Sequence, residues 1–214
     1  AARRVPGLAL GLTTKSTLVT RDLDLLLEIA GHSRLWVNLS IITLDAGLTR
    51  RLEPRAPRPD LRVRAMETLA RAGIATRLFI MPILPGLTDG DETLRPLLEA
   101  AHGAGCGEAR WNVLFLRSGT REVFLKLIAD EFPRLTDRYR ALYARSAYVP
   151  RAYWYLVERL IVAHARAVGL ALLESTGLLE HALPGLGAVP EAQRRALELL
   201  PARPPAALVW ALLL

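Results

Sequence analysis

The chain has 214 residues, about half of them apolar and under a quarter charged, which is enough to bury a real core and excludes a disordered or fibrous protein. No run reaches the ~18 uninterrupted apolar residues of a membrane span, and Pro6 and Gly7 break the short apolar start without a cleavage site after it, so a cytoplasmic chain with no membrane association is expected. The net charge of +7 rests on 26 arginines against two lysines, Lys15 and Lys126; it admits nucleic acid as a partner, although no arginine cluster interleaves with aromatics as a nucleic-acid surface would.

In chain order, the apolar run Leu8 to Thr13 reads as a buried parallel strand, and "RDLDLLLEIAG" after it as a helix that stops at Gly31. A second strand, Leu35 to Ile42, alternates so that Asn38 and Ser40 share one face. "LEPRAPRP" after it reads as a rigid segment. "PDLRVRAMETLARAG" is a helix with Asp60 as its expected N-cap, Met66 and Leu69 on its apolar face, and Gly73 as its stop. Thr76 to Ile83 is a third strand, with Pro82 and Pro85 expected to end its ladder. The helix "GDETLRPLLEAAHGAG" leads to a fourth strand, Ala109 to Leu116, and "TREVFLKLIADEF" closes the rhythm. This order predicts an α/β fold on a parallel sheet, either doubly wound or part of a barrel. Residues 1–131 form this unit, 132–170 a helical extension packed on it and broken at Pro150, and 171–214 a proline-bearing tail.

In parallel α/β folds ligands sit at the C-terminal ends of the strands. The first strand delivers Thr13, Thr14, Lys15 and Ser16 there, the second Asn38 and Ser40, and the fourth Arg110, Asn112 and Arg117. Lys15, Ser40 and Arg117 would make a cationic, hydrogen-bonding mouth suited to a carboxylate or phosphate. A solvated lysine and a core serine are the plainer alternative, and Glu53 either reaches the mouth or pairs with Arg55 or Arg58. His32, His102, His164 and His181 lack the spacing of a metal site and read as surface or helix-end residues. Cys106, the only cysteine, reads as a small residue in a helix-to-strand turn, and Gly185 to Gly187 is too short for a phosphate loop.

The succession "TTKSTLVTRDLDLL", "VNLSIITLD", "RRLEPRAPRPDLRVRAMETLARAGI", "RLFIMPILPGLTD" and "NVLFLRSGTREVF" resembles the radical SAM proteins similar to spore photoproduct lyase, a group often described as DNA repair photolyase-like. The likeness runs from about Gly11 to Phe124. It implies a partial β/α barrel with a four-iron, four-sulfur cluster and S-adenosylmethionine, cleaved reductively to a 5′-deoxyadenosyl radical. By motif, Lys15 and Ser40 would hold the methionyl carboxylate and ribose end, with Thr14 and Asn38 beside them, and Met81 and Pro82 would line the adenine side. The catalytic residues stay unassigned.

One departure weighs against activity as the chain stands. That family holds its cluster through three cysteines in a Cys-x3-Cys-x2-Cys loop upstream of these motifs, and Cys106 cannot replace it. A fragment of a longer radical SAM protein, inactive by itself, is the expectation. The alternatives are a non-catalytic α/β module binding a nucleotide or nucleic acid, and a barrel enzyme acting on a phosphorylated metabolite at Lys15 and Arg117.

Overall fold

A computed structural model describes residues 2–172 of the chain. Among them, β1 (Ala9–Thr14), β2 (Arg34–Ser40), β3 (Ala75–Ile83), β4 (Glu108–Val113) and the two-residue β5 (Ala171–Leu172) form one parallel sheet in the order β1-β2-β3-β4-β5. Order in space follows order in sequence without a reversal. Right-handed crossovers between such strands all fall on the same side of the sheet, so the described strands contain no doubly wound switch point. The sheet is open, with β1 paired only to β2 among the described residues.

Alternation along the strands separates two faces. Leu35, Val37 and Leu39 of β2, Leu78 and Ile80 of β3, and Ala109, Trp111 and Val113 of β4 are buried on one of them. Helices α1 (Leu23–Ala30), α3 (Pro59–Arg71), α4 (Asp91–Gly103) and α7 (Arg151–Val168) add Leu26, Met66, Leu69, Leu94, Leu97, Val157 and Ile161 to the same core. Burying side chains such as Met66 and Leu69 completely contributes ~1.5–3 kcal/mol each.

The other face carries Gly11 and Thr13 of β1, Trp36, Asn38 and Ser40 of β2, Arg77, Phe79 and Met81 of β3, and Glu108, Arg110 and Asn112 of β4. Contacts confirm the shared orientation. A Cβ on Gly11 would lie 2.6 Å from Trp36 Nε1, Asn38 Nδ2 donates to Thr13 Oγ1 at 2.9 Å, the Arg77 guanidinium lies 4.4 Å over the Trp36 ring, and Arg77 pairs with Glu108. A sheet with a covered apolar face and an opposite face of polar and aromatic side chains leaves the second for ligands or further chain.

Several expectations shift in the structure. A seven-residue helix that the sequence reading did not include, α2 (Ala46–Leu52), lies between β2 and the expected rigid segment 52–59; Asp45 caps it, accepting from Gly47 N at 2.7 Å and Leu48 N at 3.0 Å. Arg58, not Asp60, holds the N-cap position of α3, because Pro59 occupies its first turn, where a missing N–H costs nothing. Pro82 does not end β3: the register shifts between Ile80 and Ile83, and the ladder resumes at Ile83 opposite Val113. β2 stops at Ser40 and β4 at Val113, short of Ile42 and Leu116; beyond β4, Leu114 N donates to Ile83 O at 2.9 Å, Phe115 is bridged to Tyr148 and Leu116 N donates to Ala147 O at 2.6 Å.

After α5 (Thr120–Glu131), α6 (Thr136–Leu142) and α7 lead back into the sheet, where β5 pairs parallel to β4. The helical stretch thus completes a further crossover. α7 lies along α4, where His164 Nε2 is 2.6 Å from Asp91 Oδ1 and is mostly buried, not a surface residue. His181, Gly185 to Gly187 and the rest of the expected tail beyond Leu172 lie outside the described residues. Among the described residues no helix is long and apolar enough to cross a membrane.

Candidate functional site

Two hydroxyl caps fix the exit of β1. Thr14 Oγ1 accepts from Ser16 N at 2.9 Å, and Ser16 Oγ accepts from Leu18 N at 3.1 Å, starting the 3-10 turn Thr17–Asp22. Lys15 is held between them. Its Nζ lies 2.7 Å from Glu53 Oε1. Glu53 stands at the C-terminal end of α2, its N–H donating to Thr49 O at 2.7 Å. The other carboxylate oxygen, Oε2, is 2.8 Å from Arg62 Nη1.

Arg62 is the pivot of this arrangement, with 1% of its side chain exposed. It sits on the inward stripe of α3 with Met66 and Leu69, four and seven residues on. Its Nη1 donates to Ser40 O at 2.9 Å and its Nε to Pro57 O at 2.7 Å. A buried charge is tolerated only when paired and hydrogen-bonded, and Glu53 with these two carbonyls meets that condition. One guanidinium thus ties the end of β2, the loop before α3 and the end of α2 to Lys15. Two cations share one carboxylate, so the group carries an excess positive charge, and Lys15, with 46% of its side chain exposed, presents it to solvent.

Asn38 and Ser40 are buried beside this group, as their place on one strand face requires. Asn38 donates to Thr13, its cross-strand partner in the β1–β2 register, while its Oδ1 is buried with no hydrogen-bond partner. Arg62 Nη2 is likewise buried and unpartnered. Such orphaned groups are uncommon in a settled core.

The candidate residues named from sequence fall into two groups. Lys15, Asn38 and Ser40 come together at the ends of β1 and β2, with Met81 and Pro82 half-buried at the end of the neighbouring β3. Thr14 does not join them: alternation turns it to the opposite face from Thr13, and its hydroxyl is used by Ser16. Arg117 also stands apart. It is exposed beyond β4, where its Nη2 donates to Tyr148 Oη at 3.0 Å and its guanidinium lies 5.7 Å from the Phe115 ring centre.

A second polar centre lies past β3, where Asp89 Oδ1 accepts from Gly86 N at 2.7 Å, Asp89 Oδ2 accepts from the Tyr153 hydroxyl, and Arg138 Nη2 is 3.7 Å away. Burial pushes the Asp89 carboxyl above its ordinary range against the pull of these partners, and burial and Asp89 together push the Tyr153 phenol up. Tyr143 donates to Leu114 O at 2.8 Å, while the buried Tyr139 hydroxyl has no partner. This centre joins the β3–α4 loop to α6 and α7. Arg51 of α2 pairs with Glu131 at the end of α5 at 2.9 Å and covers the Phe132 ring at 4.0 Å, which links the segments following β2 and β4.

Cys106 is buried in the turn before β4, its thiol 3.1 Å from Glu108 O, and burial raises its pKa. It is the small packed residue that its sequence setting suggests. Among the described residues no cluster of three or more His, Cys, Asp or Glu side chains could hold a metal ion.

No known family profile matches the chain. It is similar to an uncharacterized protein of Mycobacterium tuberculosis, 36% identical over 147 residues that make up 69% of this chain and 43% of that one. An uncharacterized protein of Mycobacterium bovis matches to the same extent. An uncharacterized protein of Methanocaldococcus jannaschii is 39% identical over 80 residues, 37% of this chain and 30% of its own. The chain spans less than half the length of these relatives.

Proposed function

We propose that this chain is the S-adenosylmethionine-binding part of a radical SAM protein resembling spore photoproduct lyase, with the strands of a partial barrel holding the ligand on their open face. The observation that carries this reading is the Lys15, Glu53 and Arg62 group at the strand ends. Lys15 can leave Glu53 for the methionyl carboxylate while Glu53 keeps its bond to the buried Arg62, so the exchange strands no carboxylate in the interior. Ser40 and Asn38 would meet the ribose end, where the unpartnered Asn38 Oδ1 can accept from a hydroxyl, and Met81 and Pro82 would flank the adenine.

The residues of this chain do not fit the iron-sulfur cluster of that family. Three thiolates are needed to leave one iron free for the ligand, and the sole cysteine, Cys106, is buried at the opposite end of β4 from Lys15. No radical step is derived for these residues. Their part is binding and orientation.

Calorimetric titration of the chain with S-adenosylmethionine and S-adenosylhomocysteine tests the reading. Saturable binding that K15A weakens at least tenfold and R117Q leaves unchanged is expected. Absence of binding at millimolar ligand, or equal affinity in K15A, would overturn it.

A further inference from the structure

We propose that the cleft between the α3–β3 and α4–β4 turns, at the opposite end of the sheet from Lys15, binds a small organic ammonium. Its volume is about 360 Å³, and Gly73, Thr76, Arg77, Gly105, Gly107 and Glu108 stand in its lining; that is enough for a small ligand. The cleft exists because two segments part. β3 meets β4 only from Arg77, opposite Glu108, onward, while Ala75 and Thr76 are already paired to Trp36 and Val37 of β2. The start of β3 therefore has no strand on its β4 side. At Gly73 and Gly107 nothing lies within 4 Å of where a Cβ would stand, so the space between the turns stays clear.

The two walls end a helix in the same way. Gly73 at φ 86° and Gly105 at φ 81° take the left-handed conformation, and the residue after each closes the turn, Ile74 N donating to Leu69 O and Cys106 N to Ala101 O, both at 3.0 Å. The C-terminal ends of α3 and α4 thus meet at one place, each with a partial negative charge. Glu108 adds a full one. Arg77, the one cation of the described lining, is engaged by Glu108 and drawn over the Trp36 ring on the open face. An anion would face two helix ends and a carboxylate, and all three favour a cation.

Thr76 supplies an independent observation. The residue is 5% exposed, yet its Oγ1 is buried with no hydrogen-bond partner among the described residues. The lone pairs of a hydroxyl accept from any N–H that reaches them, and an alkylammonium brings three donors and no acceptor. The Glu108 carboxylate and the Thr76 hydroxyl would take two of these donors, the first as a charge-assisted bond. Ala70 and Ile74, also in the lining, give the alkyl part an apolar wall. The site does not depend on the reading above, because Lys15 and its neighbours lie at the other end of the strands.

The probe is 1,4-diaminobutane, with 1,4-butanediol as its neutral counterpart and succinate as an anion of the same length. Calorimetric titrations of the full chain at fixed ionic strength should show the diamine saturating at least tenfold more tightly than the diol, and no binding of succinate. E108Q and T76V should each weaken the diamine about fivefold or more. G107L fills the cleft from a position where a Cβ meets nothing within 4 Å, and it should abolish binding. K15A should leave the diamine affinity unchanged. Equal affinity for diamine and diol, a preference for succinate, or an unchanged diamine affinity in G107L would overturn the proposal. Thermal unfolding checks that each variant is folded, and G107L supplies the test should E108Q, which breaks the pair with Arg77, fail to fold.

Discussion

The Glu53 carboxylate and the Arg62 guanidinium meet at 2.8 Å with 9% and 1% of their side chains exposed, and this pair is what holds Lys15 at the mouth of the sheet. Removing one member of a buried pair leaves the other charged and unsolvated. R62M keeps the volume but strips the donors from Ser40 O and Pro57 O as well. A loss of ~3–5 kcal/mol is expected, read from the urea unfolding midpoint. E53Q, which removes the ion pair but leaves Arg62 its bonds to Ser40 O and Pro57 O, should lose less. A loss under about 1 kcal/mol in R62M would show that the pair does not hold this end of the sheet.

Lys15 should behave in the opposite way. Its bond to Glu53 is half open to water, and exposed pairs contribute ~0.2–1 kcal/mol. K15A is therefore expected to unfold within about 1 kcal/mol of the unmodified chain while losing its ligand. Denaturation and ligand titration on the same preparation check this. A K15A chain destabilised as much as R62M would make the lysine a structural residue.

Gly11 and Trp36 form a close contact of another kind. The backbone at Gly11 is ordinary, so its constraint is steric: any Cβ would press on the indole nitrogen at 2.6 Å. G11A should force the ring outward at a cost of ~1–3 kcal/mol and disturb its stacking with Arg77. In a W36L background the same change should cost clearly less, a coupling that a double-mutant cycle measures. Additive effects would show that the contact carries no strain.

How far these relations could be read in the sequence depends on the range over which each is built. The four long strands were legible to within a few residues; in β2, β3 and β4 burial leaves a local apolar mark, whereas β1, expected to be buried, has no buried residue and exposes Leu12, because among the described residues it pairs only with β2. The common face of Asn38 and Ser40, and of Arg110 and Asn112, follows from a period of two. α2 escaped notice because seven residues containing Gly47 and two arginines carry too little periodicity. Arg62 had a signal that went unused: an arginine on the same stripe as Met66 and Leu69 must be buried with a partner, and Glu53 was the undecided acid nearby. Arg117 donates to Tyr148, 31 residues away, a contact with no local mark in the sequence. The Asp89 centre joins residues up to 64 positions apart, and nothing local foretells it.

That centre sets the last expectation, a dependence of stability on pH. Burial raises the Asp89 carboxyl above its unfolded value, so the folded chain holds this proton at pH values where the unfolded chain has released it. Its contribution to stability is therefore fully present below the ordinary carboxyl pKa and is lost as pH rises through the raised one. D89N keeps a polar group against Gly86 N and the Tyr153 hydroxyl but has no proton to lose. The unfolding midpoint of the unmodified chain should fall relative to that of D89N as pH rises from about 4 toward neutrality, and the two should converge at the acid end. Comparing the two profiles removes the common titration of the other carboxylates. Parallel profiles would show that Asp89 is ionised in the fold, held by Arg138 and Tyr153 strongly enough to offset its burial.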